Sequence, residues 1–190
     1  MRTIGIVGPD SGTLADRLVD RLEGRVGLVR GEEATDGGVA ARREGAATTY
    51  DLSPEGWHAR GEPTTVDDVL DRLAPDHDYA LVLDRPDARL TQVATEAGHA
   101  ADLTVGPDGD LAPVNDLLEG LEPHETLGSL VARVKRSPRA ERSGAIATFT
   151  GRVRAKDAED DTPTQYLEFE KYEGVAEERM RDIEAELEAR

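Results

Sequence analysis

GAIATFTGRVRAKDAEDDTPTQYLEFEKYEG, residues 144–174, is the stretch whose pattern decides most about how this chain is organised. An apolar run of small and β-favouring side chains, 145–149, predicts a strand that ends in two guanidinium groups, Arg152 and Arg154. After an acidic, proline-containing loop, residues 165–172 alternate apolar and charged side chains, as a second strand does. The sequence therefore predicts a hairpin or sheet pair with a polar outer face.

Arg152 and Arg154 have two interpretations. Guanidinium groups present paired donors to phosphate and stay charged at every accessible pH, so the two arginines can form an anion clamp. Alternatively, both face solvent and pair with carboxylates of the loop that follows, at Asp157, Glu159, Asp160 and Asp161. The residues by themselves favour neither interpretation.

Acidic residues dominate the composition of the chain. Its 190 residues include 40 acidic and 23 basic side chains, which give a formal charge of −17. This balance argues against a general nucleic-acid or anionic-membrane binder, because those partners need a cationic surface. Apart from Lys135, Lys156 and Lys171, the basic residues are arginines. We expect a halophilic source, in which salt screens the self-repulsion, while a GC-rich genome is the alternative explanation for the arginine excess.

Several classes of site and location are disfavoured. Cysteine is absent, which excludes disulfides, thiolate metal sites and a cysteine nucleophile. No metal site is expected from the histidines either, because they are scattered without helical spacing, at His58, His77, His99 and His124. The chain contains no run of about 18 apolar residues and no signal-peptide core, so we expect a cytoplasmic protein.

The first 30 residues predict a β-turn-α-β unit. Residues 3–7 form a short apolar strand, 8–12 (GPDSG) a turn, and Thr13 the cap of a helix that Gly24 closes. A second strand follows at 25–30. Backbone N–H groups at such a helix N-terminus can cradle a phosphate, which makes Gly8, Gly12 and Thr13 candidate nucleotide-binding residues. The turn lacks the lysine of a P-loop and is shorter than one.

The next segment adds a capped helix and a buried strand. Thr65 with Asp68 three residues later resembles a capping box, and Pro75 stops the helix. Residues 79–83 form a continuous apolar strand that ends at Asp84. A carboxylate there is the magnesium ligand of nucleotide hydrolases, but ordinary strands also end in Asp, and the missing lysine favours the ordinary interpretation.

Alternation of helices and strands continues to residue 121. We expect a helix over 90–101, a strand over 103–105 and a helix over 113–121, an order that predicts a parallel α/β sheet. Glu122-Pro123 marks a break. Beyond it we expect an amphipathic helix over 125–136 with four apolar side chains inward, Leu127, Leu130, Val131 and Val134. The last helix, 175–190, carries an apolar stripe of Ala176, Met180, Ile183 and Leu187. Two domains, 1–121 and 122–190, are therefore predicted.

The first half of the chain resembles the GTP-binding adaptor of molybdopterin-guanine dinucleotide biosynthesis, protein B (MobB) of that pathway. The resemblance is carried by residues 4–8, 12–22, 42–48 and 79–83. The resemblance implies a P-loop-NTPase-type sheet with helices, and GTP with magnesium as the ligand of this half. The family's GKT motif is not present here, whereas Leu14, Arg17 and Leu18 match its helix.

The second half of the chain resembles the large, catalytic subunit of molybdopterin synthase (MoaE). The residues that carry the resemblance are 144–149, 150–154 (TGRVR) and 167–174 (LEFEKYEG), with a following helix that begins at Ala176. The resemblance implies an α+β domain. It also implies transfer of two sulfurs, from the C-terminal thiocarboxylate of a small ubiquitin-like subunit to cyclic pyranopterin monophosphate. The positions that match the family's pterin-binding residues are Arg152, Val153 and Arg154.

The same resemblance implies a complex with the small subunit and a homodimer of the large one. In the family, a His-Arg pair and catalytic lysines follow the helix with which this sequence ends. We therefore expect an adaptor–synthase fusion, haloarchaeal in origin, whose synthase part is impaired by natural truncation, a frameshift or fragmentation. The alternatives are a non-catalytic adaptor of molybdenum cofactor assembly and a GTP-binding protein.

Overall fold

The computed structural model describes residues 1–30, 47–151, 154–156, 160, 162–163 and 174–188. Its internal contacts divide the chain into two compact units, Met1–Ile146 and Ala147–Arg190. In the described part of the chain, no helix has both the length and the apolar character needed to cross a membrane.

The first unit contains the described strands and all but one of the described helices. The strands are β1 (Arg2–Val7), β2 (Val26–Arg30), β3 (Thr49–Ser53), β4 (Gly56–Arg60), β5 (Tyr79–Leu83), β6 (Gln92–Ala94) and β7 (Leu103–Thr104). The helices are α1 (Ser11–Arg21), α2 (Val66–Leu73), α3 (Ala112–Gly120) and α4 (Leu127–Lys135), with a 3₁₀ turn at Ala140–Arg142. Helix α5 (Val175–Glu188) lies in the second unit.

A five-stranded sheet forms the centre of the first unit. Its strand order is β2-β5-β1-β6-β7, and every neighbouring pair is parallel. Ile4 of β1 stands opposite Leu81 of β5, and Ile6 stands opposite Leu83 on that side and Val93 of β6 on the other. The predicted parallel α/β sheet is confirmed.

Helices cover the two faces of this sheet. On one face, α1 and α3 pack Leu14, Leu18 and Val114 against the strand residues that include Ile4 and Leu81. On the other face, Leu70 of α2 packs against Ala80 and Val82 of β5. Because β5 is buried from both sides, its sequence is a continuous apolar run rather than an alternating one.

Strands β3 and β4 form a separate two-stranded antiparallel hairpin. Tyr50 stands opposite Ala59, and Leu52 stands opposite Trp57. Directly opposite residues of an antiparallel pair point to the same face, so these four side chains share one face of the hairpin. This hairpin is not among the elements predicted from the sequence.

Helix α2 begins as its sequence predicts. The backbone N–H of Asp68 donates to Thr65 Oγ1 at 3.1 Å, and the N–H of Thr65 donates to Asp68 Oδ2 at 3.1 Å. The two bonds form a capping box. Hydrogen bonds from Thr65 are the main cause that lowers the pKa of Asp68.

The predicted start of α1 is wrong by three residues, because Thr13 was expected to be the N-cap. The helix begins at Ser11 after the N-cap residue Asp10, so Thr13 lies inside its first turn. The Ser11 side chain is buried, whereas Thr13 is exposed. Tertiary packing of Ser11 therefore sets the start of the helix, rather than the capping preference of threonine.

The helix predicted over residues 90–101 is also wrong. Gln92–Ala94 forms the buried strand β6 between β1 and β7. A short apolar run that is buried on both sides cannot be distinguished from a buried helix by its periodicity. Here the parallel pairing of residues 92–94 with β1 selects the strand.

Two expectations for the later part of the chain need correction. Residues 145–149 are not assigned to a strand in the described part of the chain. The segment predicted to pair with them, 165–172, lies outside the described residues, so that pairing stays a prediction. On α4, three of the four residues predicted to face inward are substantially exposed: Leu127, Leu130 and Val134. The last helix is confirmed as α5, and the residues of its apolar stripe are exposed: Ala176, Met180, Ile183 and Leu187.

Candidate functional site

The carboxyl ends of β1, β5 and β6 meet at the N-terminus of α1. This is the edge at which ligands bind in open parallel α/β sheets. The Ser11 hydroxyl donates a hydrogen bond to Asp84 Oδ2 at 2.9 Å and joins the start of α1 to the end of β5. Asp84 adopts a positive φ of 56°, the one such non-glycine residue in the described part of the chain.

The structure brings most of the predicted nucleotide-binding residues to this edge. Gly8, with φ of 118°, makes the turn after β1, and Thr95 lies so close that a Cβ at Gly8 would be 2.2 Å from its Oγ1. Gly12 lies in the first turn of α1, beside open space. The hydroxyl that contacts Asp84 is that of Ser11, a residue that the sequence analysis missed because 73 positions separate the two partners.

This turn has one amide already engaged and carries an acidic residue. The backbone N–H of Ser11 donates to Gly8 O at 3.1 Å, so the first amide of the helix is already bonded within the turn. The N-cap residue of α1 is Asp10, whose negative charge would repel a phosphate nearby. The chain contains no lysine before Lys135 to offset that repulsion.

Arg17 has a structural role near the same edge. Its guanidinium donates to Gly109 O at 2.9 Å and also to Pro107 O. Both acceptors belong to the connection between β7 and α3. This arginine therefore holds a loop in place and does not present its charge to a ligand.

The start of α4 is a compact polar cluster. Thr126 and Ser129 form a second capping box, and the Ser129 hydroxyl donates to Glu125 Oε2 at 2.7 Å. Arg133 Nη1 donates to Glu125 Oε1 at 2.6 Å. The hydrogen bond from Ser129, followed by the contact with Arg133, lowers the pKa of Glu125 below its ordinary value. Glu125 is thereby held as the carboxylate.

A cavity of about 420 Å³ lies between the end of α4 and the segment that follows the 3₁₀ turn. It is lined by Val134, Lys135, Ala140, Ser143, Gly144, Ala145 and Ile146. Its wall is mostly apolar, with one ammonium group.

Of the predicted pterin-binding residues, only Arg154 lies within the described part of the chain, and its side chain is exposed. Arg152 and Val153 lie outside the described residues, so their role stays a prediction. Lys156, two positions after Arg154, is also exposed. The described part of the segment thus presents two cationic side chains at its surface.

Comparison with known proteins adds a family and two similar proteins. The family model described as "MoaE protein" matches residues 124–190. A protein of Haloferax volcanii named "Probable molybdopterin synthase" is 46% identical over an alignment of 197 residues, gaps included. The alignment covers 100% of this chain and 74% of that protein. A MobB protein homolog from Bacillus stearothermophilus is similar in structure, with a TM-score of 0.39 and 23% identity over 60% of this chain and 71% of that one. This last likeness is too distant to bear on function.

Proposed function

The chain belongs to the molybdopterin synthase family, which acts in molybdenum cofactor biosynthesis, and we propose that it provides the large-subunit function of that enzyme. In this function, sulfur passes from the C-terminal thiocarboxylate of a small carrier subunit to cyclic pyranopterin monophosphate. The observation that carries the proposal is the 46% identity with the Haloferax volcanii protein, which extends over the whole chain.

The extent of that match also supports a fusion. The relative is similar over residues that precede the MoaE segment as well as over the segment itself, as is expected if the α/β unit and the synthase segment are fused in both proteins. We place the boundary between residues 121 and 122, two positions before the family match begins. The source of the relative and the charge of −17 support a haloarchaeal origin for this chain.

Arg152, Val153 and Arg154 are the proposed pterin-binding segment. The substrate carries a phosphate, and arginine recognises phosphate through paired, charge-assisted hydrogen bonds. A protein of net charge −17 repels an anionic substrate at long range, so the substrate must be held by a local concentration of cations. Arg154 within this segment and Lys156, two positions after it, are exposed cationic side chains.

The family implies a small sulfur-carrier subunit as partner. Its thiocarboxylate is also an anion, so the same local cations favour its approach. All three lysines of the chain, Lys135, Lys156 and Lys171, lie within the segment that the family model matches. A homodimer of the large-subunit segment completes the proposed assembly.

A reconstituted reaction tests the proposal. The full chain is mixed with the thiocarboxylated small subunit and the cyclic precursor, and molybdopterin is measured after oxidation to a fluorescent derivative. Product that depends on all three components supports synthase function. Binding of the small subunit without product would favour the non-catalytic adaptor instead. Absence of both binding and product would refute the synthase function and the adaptor function alike.

Replacement of Arg154 tests the assigned segment. Because a hydrogen bond to a charged group contributes about 1.5 to 3 kcal/mol, Arg154→Ala should weaken precursor binding by about 10- to 100-fold. Arg179→Ala, an exposed arginine on α5, is the matched control and should bind normally. Equal effects of the two variants would contradict a specific role for Arg154.

A further inference from the structure

The first compact unit extends past the residue at which the MoaE match begins. The match starts at residue 124, whereas the unit Met1–Ile146 also includes α4 and the 3₁₀ turn. The first helix of the synthase segment therefore belongs, in structure, to the α/β unit. The contacts that attach it lie around the start of β1 and the end of α2.

The junction between the two halves, Glu122-Pro123, is anchored on both sides. Before it, Leu121 packs against the core that α1 and α3 cover. After it, the N–H of His124 donates to Met1 O at 2.7 Å, and the terminal ammonium donates to His124 O at 3.4 Å. The Met1 side chain packs against the core cluster that contains Leu70. Junctions between independent domains are usually flexible and crossed by few contacts, which is not the case here.

The ring of His124 adds a side-chain contact with α2. Its Nε2 lies 2.7 Å from Asp71 Oδ1. The histidine is the less exposed partner, at 29% against 60% for the aspartate. A neutral imidazole with its proton on Nε2 donates a hydrogen bond to the carboxylate, and a protonated one forms an ion pair with it. We refer to the pair His124 and Asp71 as the clasp.

The first turn of α4 approaches the end of α2 closely as well. A Cβ at Gly128 would lie 3.1 Å from Pro75 Cγ, which is tighter than ordinary van der Waals contact. Three apolar side chains of α4 remain 41 to 49% exposed, namely Leu127, Leu130 and Val134. The attachment of the helix therefore relies on polar contacts and on this close approach of its backbone.

We propose that the α/β unit functions as a docking platform for the start of the synthase segment, and that the clasp fastens the segment to it. The platform consists of Met1, Asp71 and Pro75. This gives a role to a sheet whose α1 turn lacks the lysine of a P-loop. Because the two partners share one chain, contacts that are weak individually are sufficient. The attachment is independent of the proposed synthase reaction, since it is measured without substrate or carrier subunit.

Protonation of His124 should tighten the clasp. Imidazole changes its charge between about pH 5 and 8, and only the charged form makes an ion pair with Asp71. The other charged groups beside it are the Met1 ammonium at the start of β1 and the carboxylates of Glu122 and Glu125 in its own segment. The ammonium opposes a charge on the ring, and the carboxylates favour it. Glu125 is already hydrogen-bonded within α4, so Asp71 is the carboxylate that binds the ring.

Hydrogen exchange of the full chain, followed by mass spectrometry, tests the platform through the amides of α4. His124→Ala and Asp71→Ala should each speed this exchange by about two- to fivefold, as loss of a partly exposed pair does. The double variant should be no faster than either single one, because each removes the same contact. His99→Ala is the matched control, since His99 pairs with Glu96 at 3.7 Å elsewhere, and it should leave α4 unchanged. Additive effects of the first two substitutions, or no effect of either, would overturn the clasp.

The same measurement at pH 6 and pH 8.5, corrected for the intrinsic exchange rate, tests the role of the proton. The difference between the wild type and His124→Ala should be larger at pH 6, where more of the ring is charged. An equal difference at the two pH values would refute the proton dependence.

Gly128→Val tests the platform without touching the clasp. Valine favours a helix more than glycine does, so helix propensity by itself predicts slower exchange in α4. Crowding against Pro75 predicts the opposite, faster exchange by about fivefold or more. Gly120→Val, in open space at the end of α3, is the control and should leave α4 unchanged. Unaltered protection of β5 verifies that each variant is folded. Slower exchange of α4 in Gly128→Val would overturn the platform.

Discussion

Substitution of Gly5 by alanine should destabilise the sheet through a single close contact. Gly5 lies in β1 between Val82 of β5 and Gln92 of β6. A Cβ atom at this position would lie 2.1 Å from Gln92 Oε1 and 2.6 Å from Nε2. The Gln92 side chain is buried and would have to move. Gly5→Ala is therefore expected to act through Gln92.

The size of the effect follows from what Gln92 would lose. Its Nε2 donates to Arg85 O and Ala88 O, each at 3.3 Å. Loss of these bonds, together with crowding in a packed core, should cost about 1 to 3 kcal/mol. In the background of Gln92→Ala the obstacle is absent, so the added methyl should be neutral or stabilise by up to about 1 kcal/mol. The two substitutions should therefore be coupled by about 1 to 4 kcal/mol.

Urea unfolding followed by far-UV circular dichroism measures this coupling. With a slope of about 2 kcal/mol/M, a loss of 2 kcal/mol lowers the midpoint by about 1 M. Gly12→Ala is the matched control, because a Cβ at Gly12 meets no atom within 4 Å. A Gly5→Ala variant as stable as the wild type, or one equally destabilised with and without Gln92, would refute the argument.

Three further predictions concern the caps and the α1 turn. Thr65→Ala removes the acceptor of the α2 capping box and should lower the free energy of unfolding by about 1 kcal/mol, measured by urea denaturation; no change would mean that the cap is not formed in solution. Because the folded pKa of Glu125 is lowered, its contribution to stability is full above its unfolded pKa and is lost as the pH falls through the folded value. Midpoints measured at pH values below 6 should therefore fall more steeply for the wild type than for Glu125→Gln, and parallel curves would contradict this. Ser11→Ala should cost about 1 kcal/mol through loss of the contact with Asp84, and GTP with Mg²⁺ should raise the melting temperature of neither protein; stabilisation by GTP would show that the turn accepts a nucleotide.

The features that sequence predicts well are those with local causes. Residues 79–83 were predicted as a strand with the bounds that β5 has, because a strand buried on both faces is written as an uninterrupted apolar run. The cap at Thr65 was recognisable because donor and acceptor are three residues apart. In both cases the chain segment contains the whole signal.

The features that sequence reasoning missed depend on distant neighbours. The strand β6 exists because it fits between β1 and β7, and its own three residues, Gln92–Ala94, are equally compatible with a helix. Ser11 acquires its role only when the fold brings it to Asp84. The apolar face of the hairpin escaped notice for the same reason, since the pairing of Leu52 with Trp57 is decided by the register.

The strand order has a consequence for synthesis of the protein. β1 is made first, yet it lies at the centre of the sheet, and its two neighbours are residues 79–83 and 92–94. At about 5 to 20 residues per second, roughly 4 to 17 s pass between completion of Val7 and of Ala94. During that interval the apolar segment cannot form its native pairs. The nascent chain therefore depends on slow, long-range closure, and this is the stage at which a chaperone would be needed.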